Sequence, residues 1–146
     1  MNETHQLCTF YLDQQMFGVD ALTVQEVSRY QEMTRVPLTP ASFSGLINLR
    51  GQIVSAIDLR ERLGMPPRPA GVLPMNVVIR GDEGPISLLV DQIGDVIEVD
   101  NSQFETPPET LLPPFRQLVD GTYKLEHTLL LLLNCMTAVQ TVDEPA

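Results

Sequence analysis

The stretch Gly45-Leu46-Ile47-Asn48-Leu49-Arg50-Gly51-Gln52-Ile53-Val54-Ser55-Ala56-Ile57-Asp58-Leu59-Arg60 carries most of the fold information in this chain. Gly45 to Leu49 and Ile53 to Leu59 are apolar runs of strand length, joined by Arg50-Gly51-Gln52. A glycine in so short a connection supplies the positive φ that a tight hairpin demands. Leu59-Arg60-Glu61-Arg62-Leu63 followed by Gly64 fits a helix of one or two turns ending in a glycine cap. A hairpin running directly into a short capped helix is the local unit from which the rest is read.

The flanks extend the same pattern. Leu7 to Leu12 is rich in β-formers, Asp13-Gln14-Gln15 interrupts it, and Met16 to Asp20 resumes, as in a hairpin. Ala21 to Val27 fits either a short helical turn or an irregular strand. Pro37 and Pro40 break the chain, and Ser42-Phe43-Ser44 is expected to form one helical turn after Pro40. Beyond Gly64, the segment Met65 to Pro74 holds prolines 66, 67, 69 and 74 and reads as a surface loop. Asn76 to Arg80 and Ile86 to Val90 flank a turn at Gly81-Asp82-Glu83-Gly84-Pro85, and Ile93 to Val99 continues as a strand. Thr106 to Pro114 is a second proline-rich connection. Thr122 to Leu125 and Thr128 to Leu133 are expected to pair across Glu126-His127, the leucine run being a strand buried on both faces. Asn134 to Val142 suggests a short final helix and Asp143 to Ala146 a frayed end. Short strands with turns every eight to twelve residues point to a small barrel or sandwich, one compact β-rich unit.

Composition narrows the function classes. The 146 residues are 43% hydrophobic and 19% charged, as in globular proteins. A net charge of −10 argues against a nucleic-acid partner, which wants a basic face, and against docking on anionic lipid. Lys124 is the one lysine and the other eight basic residues are arginine, which forks onto carboxylates and carbonyls. Charge is uneven: eight acids and no base lie from Asp82 to Glu109, and six arginines against three acids from Arg29 to Arg68. Such asymmetry either steers two partners or disperses over a solvated surface on folding. Cys8 and Cys135 sit in no CxxC or Cys/His cluster, so neither zinc nor a disulfide framework is expected. The N-terminus lacks the features of a signal peptide, and Leu129 to Leu133 is far too short to cross a bilayer. Cofactors are expected to be none and the location cytoplasmic.

Catalytic machinery is hard to find. His5 lies near the N-terminus and His127 in a turn, both solvated positions. No phosphate-binding glycine motif, nucleophile elbow or HExxH occurs. Asp91 and Asp95 are the one carboxylate pair to weigh. On an extended strand they point the same way but lie about 13 Å apart, too far to share a proton. A small acidic hydrolase would need both within about 5–9 Å and at least one raised pKa. The alternative is that they are surface or strand-end acids.

The Gly45 to Arg60 stretch closely resembles the signature of the CheW family, the chemotaxis coupling proteins. The family pattern is Gly, two apolar residues, Asn-Leu-Arg-Gly, an apolar strand, then Ile-Asp-Leu-Arg. Phe10-Tyr11-Leu12 with Phe17-Gly18-Val19 resembles its opening hairpin. Val24-Gln25-Glu26-Val27 resembles the next segment, and Leu88-Leu89-Val90-Asp91-Gln92-Ile93-Gly94-Asp95-Val96 its central "LLVD" strand pair. Leu129 to Leu133 fits its closing strand. Ser55 stands where many members have proline, a residue tolerated on an edge strand and not within a ladder.

The resemblance implies a mainly β fold of two small five-stranded β-barrel subdomains sharing a hydrophobic core, with a few short helices and a groove between the barrels. Residues 1–146 would be a single domain of two intertwined barrels. With no room for kinase, phosphotransfer or receiver domains, the stand-alone coupling protein is expected. The implied function is a non-enzymatic adaptor that couples methyl-accepting chemotaxis receptors to the CheA histidine kinase, recruited to membrane-bound arrays without inserting into the membrane. A coupling protein for a pathway other than swimming chemotaxis is a variant of the same reading. Implied partners are the receptor's cytoplasmic tip, the kinase's regulatory domain and other CheW-like modules. Val24, Glu26, Gly45 and Arg50 match family positions implicated in receptor contact. Gly45 would let a helix approach the backbone, and Arg50 would fork onto a carbonyl or carboxylate. Three of them have a structural alternative: Gly45 for backbone geometry, Arg50 for holding its own turn, Val24 for the core. The kinase contact is not legible: which of Val36, Leu38 or Ile53 are exposed decides it.

Overall fold

At the diagnostic hairpin, Leu49 faces Gln52 across Arg50 and Gly51. Both turn residues have positive φ, 53° and 85°. That is the type I′ geometry whose twist matches the flanking strands. The Asn48 side chain accepts the Gly51 N–H at 2.9 Å and locks the turn. The computed structural model describes residues 3–139.

Twelve strands form among these residues: β1 (Thr4–Leu12), β2 (Gln15–Asp20), β3 (Val24–Ser28), β4 (Met33–Thr34), β5 (Phe43–Leu49), β6 (Gln52–Asp58), β7 (Met75–Gly81), β8 (Gly84–Val90), β9 (Gln92–Asp100), β10 (Phe104–Glu105), β11 (Val119–Lys124) and β12 (Leu129–Leu133). Three four-residue helices join them: α1 (Leu59–Arg62), α2 (Phe115–Leu118) and α3 (Cys135–Ala138). The first sheet runs β10-β11-β12-β2-β1-β9 and the second β3-β7-β8-β6-β5-β4. Each has five full strands and a sixth of two residues, which is how the expected five-stranded units appear.

The outermost strands of each sheet are consecutive in the chain. β9 and β10 are joined by the Asn101–Gln103 turn, and β3 and β4 by residues 29–32. In a flat six-stranded sheet the outer strands would lie about 24 Å apart. Three or four linking residues span less than that, roughly 14–18 Å. Each sheet must therefore curl back on itself, as a barrel does.

The chain starts the first sheet with β1 and β2, builds the whole second sheet, and returns to finish the first. The largest buried cluster is shared by both sheets, and each sheet keeps a smaller cluster of its own. Phe10, Phe17 and Leu131 from the first sheet pack in a single cluster with Val77, Ile79 and Leu88 from the second, and Leu59 and Leu63 around α1 lie in the same cluster. Phe10 and Phe17, opposite each other on β1 and β2, stack at 5.7 Å.

One local expectation changes and two open points are decided. Ser42-Phe43-Ser44 forms no helical turn: Phe43 and Ser44 open β5, with Phe43 opposite Ile57. Partner strand β6 overrides the local preference set by Pro40. Ala21 to Val27 is both alternatives in succession, a 3₁₀ turn over Ala21–Thr23 and then β3. Ser55 is not at an edge, because β6 lies between β8 and β5 and Ser55 faces both Leu46 and Ile86. The leucine run is a strand, buried at Leu130, Leu131 and Leu133 and exposed at Leu129. α3 is capped by Asn134, which accepts the Thr137 N–H at 3.0 Å. The expected extension of this helix toward Val142 and the frayed end lie outside the described residues.

Candidate functional site

Glu26 and Arg50, far apart in sequence, meet. Glu26 lies on β3 and Arg50 at the tip of the β5–β6 turn, with Arg50 Nη2 3.3 Å from Glu26 Oε2. The Arg50 side chain is 87% exposed and that of Glu26 20%. Since β3 and β5 lie toward opposite ends of the sheet order, the curl of the second sheet makes this contact. A guanidinium so open to solvent keeps donors free for a partner. Its ion pair with Glu26 fixes its aim more than it stabilises the fold.

Val24 and Gly45 stand differently. Val24 packs against the shared core. Gly45 is buried, and a Cβ there would lie 2.6 Å from the Thr34 carbonyl oxygen of β4. The close approach that requires glycine is thus made by this chain's own neighbouring strand.

The arginine-rich segment is not a basic face. Arg60 and Arg68 turn inward to Asp91, which sits between β8 and β9. Arg60 Nε and Nη2 reach its carboxylate at 2.9 and 2.5 Å, and Arg68 Nε at 2.8 Å. Arg68 also pairs with Asp58 at 3.0 Å. Arg62 donates to the carbonyls of Thr137 and Ala138 at the end of α3. Half of the six arginines are therefore spent internally. Burial by itself would raise the Asp91 pKa. The Arg60 hydrogen bonds, the Asp13 N–H and the two guanidinium charges outweigh it and hold the carboxyl below its usual range. A general acid needs the opposite shift, so the hydrolase pairing of Asp91 with Asp95 finds no support. Asp95 is exposed and Asp91 lies at a strand end, as expected, but the Asp91 side chain is largely buried in ion pairs and not solvated. Its missed signal was the Arg60 and Arg68 spacing, which has no meaning until β8 is laid beside α1. Among the described residues no group of three or more His, Cys, Asp or Glu is placed to hold a metal. His5 is bonded to Asn101 and His127 lies beside Glu126, both exposed.

A cleft of about 1050 Å³ opens between the two sheets. It begins at Gln52 and Ile53, directly after the Arg50–Gly51 turn, and none of Val24, Glu26, Gly45 or Arg50 lines it. Ser55 and Phe43 do, beside Leu132 and Met136 from the other sheet's end of the chain. Cys135 lines it too, and burial, with the nearby Asp120 and Asp20 charges, pushes its thiol up to about 12. Cys8 is also raised, by burial and by Asp20, and both cysteines are free. Since the thiolate is the reactive form, Cys135 should alkylate at pH 8 roughly three orders of magnitude more slowly in the native than in the urea-unfolded chain. Mass spectrometry after timed iodoacetamide treatment measures this.

This geometry meets a known family. A family model described as a CheW-like domain matches residues 6–142. The chain belongs to the CheW-like family. Among similar proteins is the chemotaxis protein CheW of Treponema pallidum, 26% identical over 139 residues, covering 91% of this chain and 81% of that one. A probable chemotaxis protein CheW of Rhizobium etli is 30% identical over 128 residues, covering 88% and 83%. The crystal structure of the scaffolding protein TtCheW from Thermoanaerobacter tengcongensis superposes with a TM-score of 0.86 at 25% identity, covering 99% of this chain and 98% of that one. The mainly β, two-sheet CheW-like architecture expected from the Asn48-Leu49-Arg50-Gly51 signature is what this chain adopts. Among the described residues no helix is long and apolar enough to cross a membrane.

Proposed function

We propose that this CheW-like chain is a non-catalytic adaptor that couples methyl-accepting chemotaxis receptors to the CheA histidine kinase. The observation that carries the reading is the family match over residues 6–142. It works as one domain of two intertwined barrels, in the cytoplasm, recruited to receptor arrays through its partners. The receptor's cytoplasmic tip is a helical hairpin, and a helix docks on a surface with apolar contacts and a few polar anchors. Arg50, aimed by Glu26 and open to solvent, supplies the anchor. Gly45 and Val24 shape the sheet behind it, Gly45 by letting β4 close on β5 and Val24 by joining the core. The kinase's regulatory domain, itself CheW-like, packs barrel to barrel, and other CheW-like modules do the same. No cofactor enters.

Capture by an immobilised receptor signalling fragment tests the anchor. Arg50→Ala and Glu26→Ala should each weaken capture about 5–30-fold, the range for a polar contact of roughly 1–2 kcal/mol. Their melting temperatures should move by no more than about 4 °C, since an exposed ion pair contributes about 0–1 kcal/mol. Unchanged capture by both variants, or unfolding of both, would remove the anchor role. Wild-type protein that binds neither the receptor fragment nor the kinase regulatory domain would end the adaptor reading.

A further inference from the structure

A polar relay lies buried in the second sheet. Asn76 on β7 is 1% exposed and Ser87 on β8 is 0% exposed. The Ser87 hydroxyl donates to Asn76 Oδ1 at 2.7 Å, and Asn76 Nδ2 donates to the Arg29 carbonyl at 2.9 Å. A carbonyl only accepts, so it turns the amide the way that leaves Oδ1 for Ser87. Asparagine is depleted in strands, and replacing both members of such a pair by apolar groups of like shape costs little. Stability alone does not call for this relay. We propose that Asn76, oriented by Ser87, is a positioning residue: it pins the end of β3 and so sets the Glu26–Arg50 pair. The proposal rests on the receptor reading above only for the purpose of that pair.

The end of β3 needs a tie. β3 is an end strand of its sheet, bonded only to β7. A register shift between Val24 and Glu26 interrupts that ladder. Beyond the shift the pairs are Glu26↔Val78, Val27↔Val77 and Ser28↔Asn76. Glu26 therefore sits on a short stub between an irregularity and the 29–32 link. Short ladders at a sheet end open locally at little cost. Asn76 lies opposite the last residue of the stub, and its side chain reaches one residue further, to Arg29. Among the described residues the link's one other hydrogen bond is the Ser28 hydroxyl on the same carbonyl, at 3.4 Å. Arg29 is exposed, so its carbonyl finds water when released. The Asn76 bond is not needed to satisfy that carbonyl, and its effect is to hold the link down.

What the tie controls is the reach from Glu26 to Arg50. The two residues share no ladder, since Arg50 tips the β5–β6 turn and β5 lies toward the other end of the sheet order. Only the curl of the sheet brings their side chains to 3.3 Å, and the 29–32 link that joins β3 to β4 closes that curl. A slide of β3 by about 1 Å would stretch the contact past the roughly 4 Å limit of an ion pair. Arg50, 87% exposed, would then lose its fixed aim. Binding through it would carry the entropy cost of ordering a long side chain. The relay prevents this by crossing β7 and anchoring the end strand to β8, which has neighbours on both sides.

The paired variant Asn76→Leu with Ser87→Ala tests this in the full chain, because it removes both polar groups and keeps the branching of the amide. Its melting temperature should stay within about 4 °C of wild type. Amide exchange over residues 26–32 should accelerate at least about tenfold, with the β8 amides unchanged. The NMR signal of the Arg50 Nε–H should move toward its position in Glu26→Ala. Capture by the receptor fragment, corrected for folded protein, should weaken about 3–10-fold, the cost of ordering one long side chain. In an Arg50→Ala background the same pair of substitutions should weaken capture less than about twofold, because Asn76 acts through Arg50. A merely structural role would lower capture by one factor in both backgrounds. Where the paired variant does not fold, Ser87→Ala alone is read in the same way, with smaller shifts of the same sign. Unchanged exchange over 26–32, an unmoved Arg50 signal, or equal losses in the two backgrounds overturns the proposal. Wild-type protein that ignores the receptor fragment, while the paired variant shows the faster exchange and the moved Arg50 signal, would defeat the adaptor reading and leave the positioning role standing.

Discussion

Asp91→Asn should cost about 3–5 kcal/mol of folding stability, the cost of leaving buried guanidinium charges without their anion. For a chain of this size the melting temperature should drop by roughly 10 °C. Asp91 lies where the chain passes from the second sheet back to the first, at the β8–β9 junction. Its carboxylate gathers Arg60 of α1, Arg68 of the proline-rich loop and the Asp13 N–H of the β1–β2 turn. The Arg60 and Asp91 side chains are 9% and 10% exposed, so water replaces little of what is lost. Asparagine fills the same volume but carries no charge. The pH dependence follows from the lowered pKa of this carboxyl. A depressed folded-state value means that the stabilisation is complete above the unfolded carboxylate pKa of about 3.9. It is lost as pH falls below that value and through the folded one. Wild type should therefore lose stability steeply on acidification below about pH 4, and Asp91→Asn should show a flatter acid limb. Urea denaturation followed by circular dichroism at pH 7, 5 and 3 measures both. A loss under about 1 kcal/mol at pH 7 would mean that the two arginines find other partners.

Gly45→Val should cost about 2–4 kcal/mol and weaken receptor capture chiefly by lowering the folded fraction. Two strains add. The φ of Gly45 is +157°, at the border of the region that side chains avoid. The new Cβ would lie 2.6 Å from the Thr34 carbonyl oxygen, and the obstacle is backbone, which cannot swing aside as a side chain can. β4 holds to β5 through only Met33↔Ile47 and Thr34↔Leu46. Relief should come by peeling β4 away, and amide exchange over residues 33–34 and 46–47 should accelerate well before the rest of the sheet. Capture corrected for folded protein separates the two roles of this glycine. Near-normal corrected affinity assigns it to sheet closure. An affinity loss of tenfold or more in a variant that melts normally would instead put Gly45 against the receptor.

Several features were legible from residues alone because they depend on neighbours in the chain. The Arg50–Gly51 turn, the α1 helix stopped at Gly64 and the β7–β8 hairpin are of this kind, and each lies where the pattern put it. The Asn48-Leu49-Arg50-Gly51 signature likewise led to the family. Phe43 escaped, because its strand exists only through pairing with Ile57 fourteen residues on. Asp91 escaped for a stronger reason: its two arginines are more than twenty residues away, and nothing local distinguishes a buried carboxylate from a solvated one.

The linear order of the residues, with its turn glycines, apolar runs and coupling-protein signature, settled the β-rich class and the family and named four candidate contact positions. Only folding decided that Glu26 reaches Arg50, that Arg60 and Arg68 serve the interior, and that a cleft opens between the sheets. The physical reason is range. Turn geometry and capping are fixed within a few residues, whereas charge pairing and concavity arise where the returning chain closes one sheet around the other.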